Sequence, residues 1–80
     1  MKRPLSELGA GDSGRILDFA GFDANTERLM QMGLVEGTEV RFIRSGPGGD
    51  PIEIDVMGYS LSLRREEAAQ VIIESNDEPG

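Results

Sequence analysis

Arg28-Leu29-Met30-Gln31-Met32-Gly33-Leu34-Val35-Glu36-Gly37-Thr38-Glu39-Val40 puts a helix end, a tight turn and the start of a strand in one short stretch. Gly33 falls just past the helix, at the left-handed position where a side chain would be strained. Leu34 comes next and is expected to fold back onto Leu29, a Schellman stop with its apolar contact supplied. Glu36-Gly37 then fill the centre of a type II turn, with Gly37 taking the positive φ that this turn requires. From Thr38 the period drops to two. Val40 and Phe42 share one face and Glu39 and Arg41 the other, which predicts a half-buried strand over 38–43. Nothing in the stretch is chemical, so its role is architectural.

Working back toward the amino end, residues 23–32 are the best helix candidate in the chain. Asp23 or Asn25 supplies the cap, and Glu27 sits in the first turn, where the helix dipole favours an anion. Leu29 and Met32 share a face. Met30 points nearly opposite to Met32, which makes it a candidate exposed apolar residue. Before the helix, Arg15-Ile16-Leu17-Asp18-Phe19-Ala20 does not alternate cleanly, because Ile16 and Phe19 fall on opposite faces of a regular strand. A bulge reconciles them; the alternatives are a strand covered on both sides or an exposed Leu17. Earlier still, Pro4-Leu5-Ser6-Glu7-Leu8 has the spacing of a single helical turn that tucks both leucines beneath the domain, and Gly9 to Gly14 breaks it.

Toward the carboxyl end, Arg44-Ser45-Gly46-Pro47-Gly48-Gly49-Asp50-Pro51 has too many glycines and prolines for a regular element and reads as a loop. A phosphate cradle is not indicated, since no lysine followed by Ser or Thr is present and no helix follows. Ile52-Glu53-Ile54-Asp55-Val56 alternates strictly, and Ser60-Leu61-Ser62-Leu63-Arg64 repeats the pattern. The two form an antiparallel hairpin turning near Gly58, with Pro51 confined to its start. Arg64 to Ala69 makes one tight turn, in which Arg64 is expected to pair with Glu67. Gln70 to Glu74 is a last strand, and a sheet that begins near Ile16 and ends near Ile73 can close on itself. Residues 75–80 carry no apolar side chain and are expected to fray.

Eighty residues are one domain that buries only about 60% of the surface of its unfolded chain, which predicts no sizeable substrate cavity. Cys and His are both absent, so thiolate and imidazole ligands, disulfides and the usual proton shuttle are missing. Only carboxylates, carbonyls and water remain for a metal, and no metal site, cofactor or enzyme activity is expected. Asp50, Glu53 and Asp55 are the densest acidic group and are expected to pair across strands with arginines such as Arg41. The net charge of −7 repels phosphate backbones and anionic headgroups, which disfavours nucleic acid. No apolar run approaches the ~20 residues that span a bilayer, so no direct membrane insertion is expected.

Five short strands with one helix after the first and short helical turns form a mainly β fold, a small SH3-like β-barrel. Leu5-Ser6-Glu7-Leu8 with Gly11, Gly14-Arg15-Ile16, Arg28-Leu29 with Met32-Gly33-Leu34, Gly37-Thr38-Glu39-Val40, Gly49-Asp50-Pro51-Ile52, Gly58, and Leu63-Arg64 with Glu67-Ala68 follow in an order that resembles the FeoA family. The resemblance covers about residues 5–74 and extends to the SH3-like carboxy-terminal domains of DtxR-type metal-dependent repressors. Glu36 stands where the family commonly has proline, and Ser45-Gly46-Pro47-Gly48 departs from its usual loop.

The resemblance implies a barrel over 1–74 followed by a disordered tail over 75–80. It implies an accessory protein of ferrous iron uptake that docks on a FeoB-like transporter with a GTP-binding domain and modulates its activity. Such a protein is cytoplasmic, and peripheral at the inner membrane through its partner. The alternative is an SH3-like regulatory or peptide-binding module related to the repressor domains. A docking surface needs apolar anchors that the barrel does not require, and Leu17, Phe22, Met30 and Tyr59 are the candidate partner-binding residues. A third reading makes Arg28, Arg64 or Arg65 an arginine finger toward a partner GTPase.

Overall fold

The computed structural model describes residues 1–76 as one antiparallel sheet with two helices and two 3₁₀ turns. The strands are β1 (Lys2–Pro4), β2 (Ser13–Phe19), β3 (Glu39–Ser45), β4 (Ile52–Val56), β5 (Tyr59–Leu63) and β6 (Val71–Ser75), in the order β1-β6-β2-β3-β4-β5. The helices are α1 (Ala24–Gln31) and the single turn α2 (Arg65–Ala68). The fold is the expected mainly β one, with a sixth strand. β1 adds to the outer side of β6, and its proline ends a strand whose only sheet neighbour is β6.

The helix stop forms as expected. Leu34 N–H donates to the Leu29 carbonyl at 3.1 Å, Gly33 N–H donates to the Met30 carbonyl at 3.0 Å, and Gly33 has φ +103°. Leu29 and Leu34 are both fully buried, so the stop also anchors α1 to the core. The next turn closes through Thr38 N–H to the Val35 carbonyl at 3.1 Å, around Gly37 at φ +90°. It is tied to β2 from both directions, by Gly37 N–H to the Ile16 carbonyl and Ile16 N–H to the Thr38 carbonyl. The chain therefore leaves the helix already in register for β3.

In β2 the pairing with β6 shifts between Ile16 and Asp18, and this bulge buries both Ile16 and Phe19. Ile16 faces Ile73, so the strands expected to be first and last do meet. The ladder still leaves β1 and β5 as its two edges. Between those ends, the first 3₁₀ turn (Leu5–Glu7) lies against α2. Arg65 laces this corner together: its Nη1 donates to the Ser6 carbonyl and its Nε to the Gly49 carbonyl, each at 2.8 Å. Gly49 belongs to the second 3₁₀ turn (Pro47–Gly49), inside the stretch expected to be an irregular loop.

Leu5, Ile16, Leu29, Leu34, Ile52, Ile54 and Ile73 are all fully buried, each worth about 1.5–3 kcal/mol of transfer free energy. Gly14 sits where β2 and β6 approach too closely for a side chain. A Cβ there would lie 2.7 Å from the Glu74 carbonyl oxygen and 2.9 Å from Ile73 Cδ1. β6 runs through Ser75, which is buried, so the sheet extends one residue past the boundary expected at 74. Residues 77–80 of the expected tail lie outside the described residues.

Candidate functional site

The start of α1 is held by a reciprocal cap. Thr26 N–H donates to Asp23 Oδ1 at 3.0 Å, and Asp23 N–H donates to Thr26 Oγ1 at 2.8 Å. The Thr26 N–H, aided by the Gln70 side-chain amide, holds the Asp23 carboxyl below its ordinary pKa. Phe22 precedes this cap. A residue there commonly packs against the side chain five positions on, which here is Glu27, so that apolar staple is not available. Phe22 is consequently 75% exposed, its ring centroid 6.5 Å from that of Phe19 and tilted by 51°.

Phe22, Asp23, Thr26, Glu27 and Met30 line an open concavity of about 340 Å³. Met30 is half-buried and rests on the core, forming an apolar floor beside the projecting ring. Two carboxylates, Asp23 and Glu27, border it. An aromatic anchor, a thioether floor and an acidic rim suit an apolar side chain flanked by Lys or Arg.

The four candidate residues do not form one patch. Phe22 and Met30 share the concavity, whereas Leu17 and Tyr59 do not line it. Leu17 lies half-buried at the β2 bulge. Tyr59 is 45% exposed, but its hydroxyl donates to the Met32 carbonyl at the end of α1, so it also has a task within the fold. Sequence reasoning missed Val35, Ile43 and Met57 as exposed apolar residues. Met57 is 79% exposed and lies with Gly58 in the two-residue turn between the paired Val56 and Tyr59, at φ +52°. The strict alternation on both sides of Met57-Gly58 was the signal that would have put it at the tip.

The charged residues pair differently from expectation. Arg64 does not pair its side chain with Glu67; its guanidinium meets Asp50 at 3.2 Å, and only its backbone N–H donates to Glu67 Oε1, at 2.8 Å. Glu67 instead pairs with Arg28 of α1. Glu53 pairs across strands with Arg44 at 2.7 Å, while Arg41 stands opposite Asp55. Asp50 Oδ1 also accepts from Arg65 N–H at 3.0 Å. Arg28, Arg64 and Arg65 are thus each engaged inside the molecule, which counts against any of them reaching out as an arginine finger.

Among the described residues, no three carboxylates converge in a way that would hold a metal ion. No described helix is long and apolar enough to cross a membrane.

Comparison with known proteins gives consistent results. The FeoA domain family model matches residues 3–75. A Fe(2+) transport protein A/Fe(2+) transporter FeoB fusion protein of Porphyromonas gingivalis is 37% identical over 70 residues, 88% of this chain. The chain spans only 8% of that relative's length. The zinc-complexed FeoA of Stenotrophomonas maltophilia, described as a procaryotic SH3 domain protein, is 35% identical with a TM-score of 0.79. The match covers 89% of this chain and 88% of that one. A manganese-dependent transcriptional repressor matches with a TM-score of 0.84 over 92% of this chain and 36% of that one. At 17% identity this is a likeness of fold alone.

Proposed function

Because this chain belongs to the FeoA family of ferrous iron transport, we propose that it is a cytoplasmic accessory protein that docks on a FeoB-like GTPase transporter and modulates its activity. One observation carries the reading. In the Porphyromonas relative, the region matching this chain belongs to the same polypeptide as a FeoB transporter. A covalent link of that kind raises the effective concentration of two modules that work together, which supports contact between the separate proteins as well. The concavity at Phe22 and Met30 is the contact surface we assign, with Leu17 and Tyr59 as secondary candidates outside it.

The role needs no catalytic residue in this chain. Phe22 supplies a large apolar anchor already positioned beside a capped helix, so little ordering is lost on binding. Asp23 and Glu27 orient a basic partner surface, and ferrous iron remains the transporter's cargo. The peptide-binding alternative is weaker. SH3 peptide grooves are lined by aromatics, and of the four here Phe19 and Phe42 are buried.

Co-purification of the tagged protein with a FeoB-like transporter from membranes tests the proposal. Recovery of the transporter with the wild type, and its loss with the Phe22→Ser, Met30→Ala pair, is the expected result. Equal recovery with both would remove the assigned surface, and no recovery with either would remove the docking reading.

A further inference from the structure

The two edges of the sheet differ in protection. β1 is three residues long, carries Lys2 and Arg3, and ends in Pro4, the usual devices against strand addition. β5 has none of these. It runs Tyr59-Ser60-Leu61-Ser62-Leu63 without charge, proline or bulge, and pairs with β4 in unbroken register.

Tyr59 and Val56 flank a two-residue turn and so form a hydrogen-bonded pair. By antiparallel alternation, Leu61 and Leu63 then direct their backbone groups at β4, and Ser60 and Ser62 direct theirs away from it. Among the described residues, no backbone hydrogen bond from outside the sheet reaches Ser60 or Ser62. Both residues are exposed.

We infer that the free edge of β5 accepts an extended segment of a partner protein as a seventh strand, and that the segment alternates basic and apolar residues. The alternation follows from the two faces of β5. On one face Ser60 stands opposite Asp55 and Ser62 opposite Glu53. The serines are short, so a Lys or Arg on the added strand reaches across Ser60 to Asp55, which is in no ion pair among the described residues, whereas Glu53 beside Ser62 is already held by Arg44. On the other face Tyr59 and the partly buried Leu61 offer apolar surface to the intervening side chains. A net charge of −7 favours a basic segment over a second copy of this chain. This edge is a different surface from the Phe22 concavity and does not depend on it.

The test uses the full chain and a short synthetic peptide alternating Lys and Val, followed by amide NMR and hydrogen exchange. The expected result is slowed exchange at the Ser60 and Ser62 amides, with shifts centred on β5. A peptide of the same composition with its lysines in one block, and an alternating peptide N-methylated on its edge-facing amides, should each bind about tenfold more weakly. The exposed variant Ser60→Lys should weaken binding similarly while its spectrum stays folded. Equal binding of all three peptides, shifts centred away from β5, or β5-mediated dimerisation without peptide would each overturn the inference.

Discussion

The phenolic hydroxyl of Tyr59 donates to the main-chain carbonyl of Met32, pinning the start of β5 to the last turn of α1. The same hydroxyl occupies the space a side chain at Gly33 would need, since a Cβ there would lie 2.5 Å from it. Gly33 is therefore favoured by its positive φ, and a side chain there would also push the tyrosine off its bond to Met32.

Gly33→Ala is expected to destabilise the protein by about 1–2 kcal/mol through backbone strain alone, and by more because of the tyrosine. In a Tyr59→Phe background the added cost of Gly33→Ala should shrink. A double-mutant cycle by urea denaturation measures this, and a coupling of about 0.5–3 kcal/mol is the range for residues in contact. Additive effects would show that the hydroxyl does not constrain the glycine.

Glu67 is 5% exposed and serves two partners, the Arg28 guanidinium and the Arg64 N–H. Glu67→Gln keeps an acceptor for the N–H and loses the charge, whereas Glu67→Ala loses both. The alanine variant should lose about 1–2 kcal/mol and the glutamine variant less, because Arg28 is half-exposed and screened by solvent. Thermal melts of the two variants read the difference.

The Asp23 cap predicts a specific response to acid. Its carboxyl is held below the ordinary value, first by the Thr26 N–H. A depressed folded pKa means that the ionised cap stabilises the protein above about pH 4, the unfolded value, and that this contribution fades as pH falls through the folded value. The stability advantage of wild type over Asp23→Ala should therefore be constant near neutrality and diminish in acid. Paired denaturation curves across that range test it, and a difference that grows on acidification would contradict the assignment.

Features fixed by near neighbours were legible in the sequence. Gly33 and Leu34 follow the helix they stop, Gly37 sits in its own turn, and the mismatch of Ile16 and Phe19 reveals the bulge in β2. Features fixed by distant partners were not. β1 is three residues whose pairing partner lies at the other end of the chain, so no alternation could mark it. Arg64 had a suitable acid three residues away, yet folding brings Asp50 to its guanidinium and Arg28 to Glu67. Of the candidate contact residues, Phe22 was legible only as one the barrel does not require; its exposure could have been argued from Glu27, which stands five positions on where a staple needs an apolar side chain. Tyr59 was read only as surplus aromatic surface, because its bond to Met32 spans two elements.

Phe22 is exposed and makes no staple, and its tilted contact with Phe19 is worth about 0.5–1.5 kcal/mol, so Phe22→Ser should leave the protein folded. Any loss of binding in this variant then reports on the surface and not on the fold. The most direct measurement is a calorimetric titration of the cytoplasmic domain of a FeoB-like transporter with wild type and with Phe22→Ser. The account predicts saturable binding by the wild type, and binding at least about tenfold weaker by the variant, as for loss of a central aromatic anchor. Identical isotherms, or no heat of binding with the wild-type protein, would contradict it.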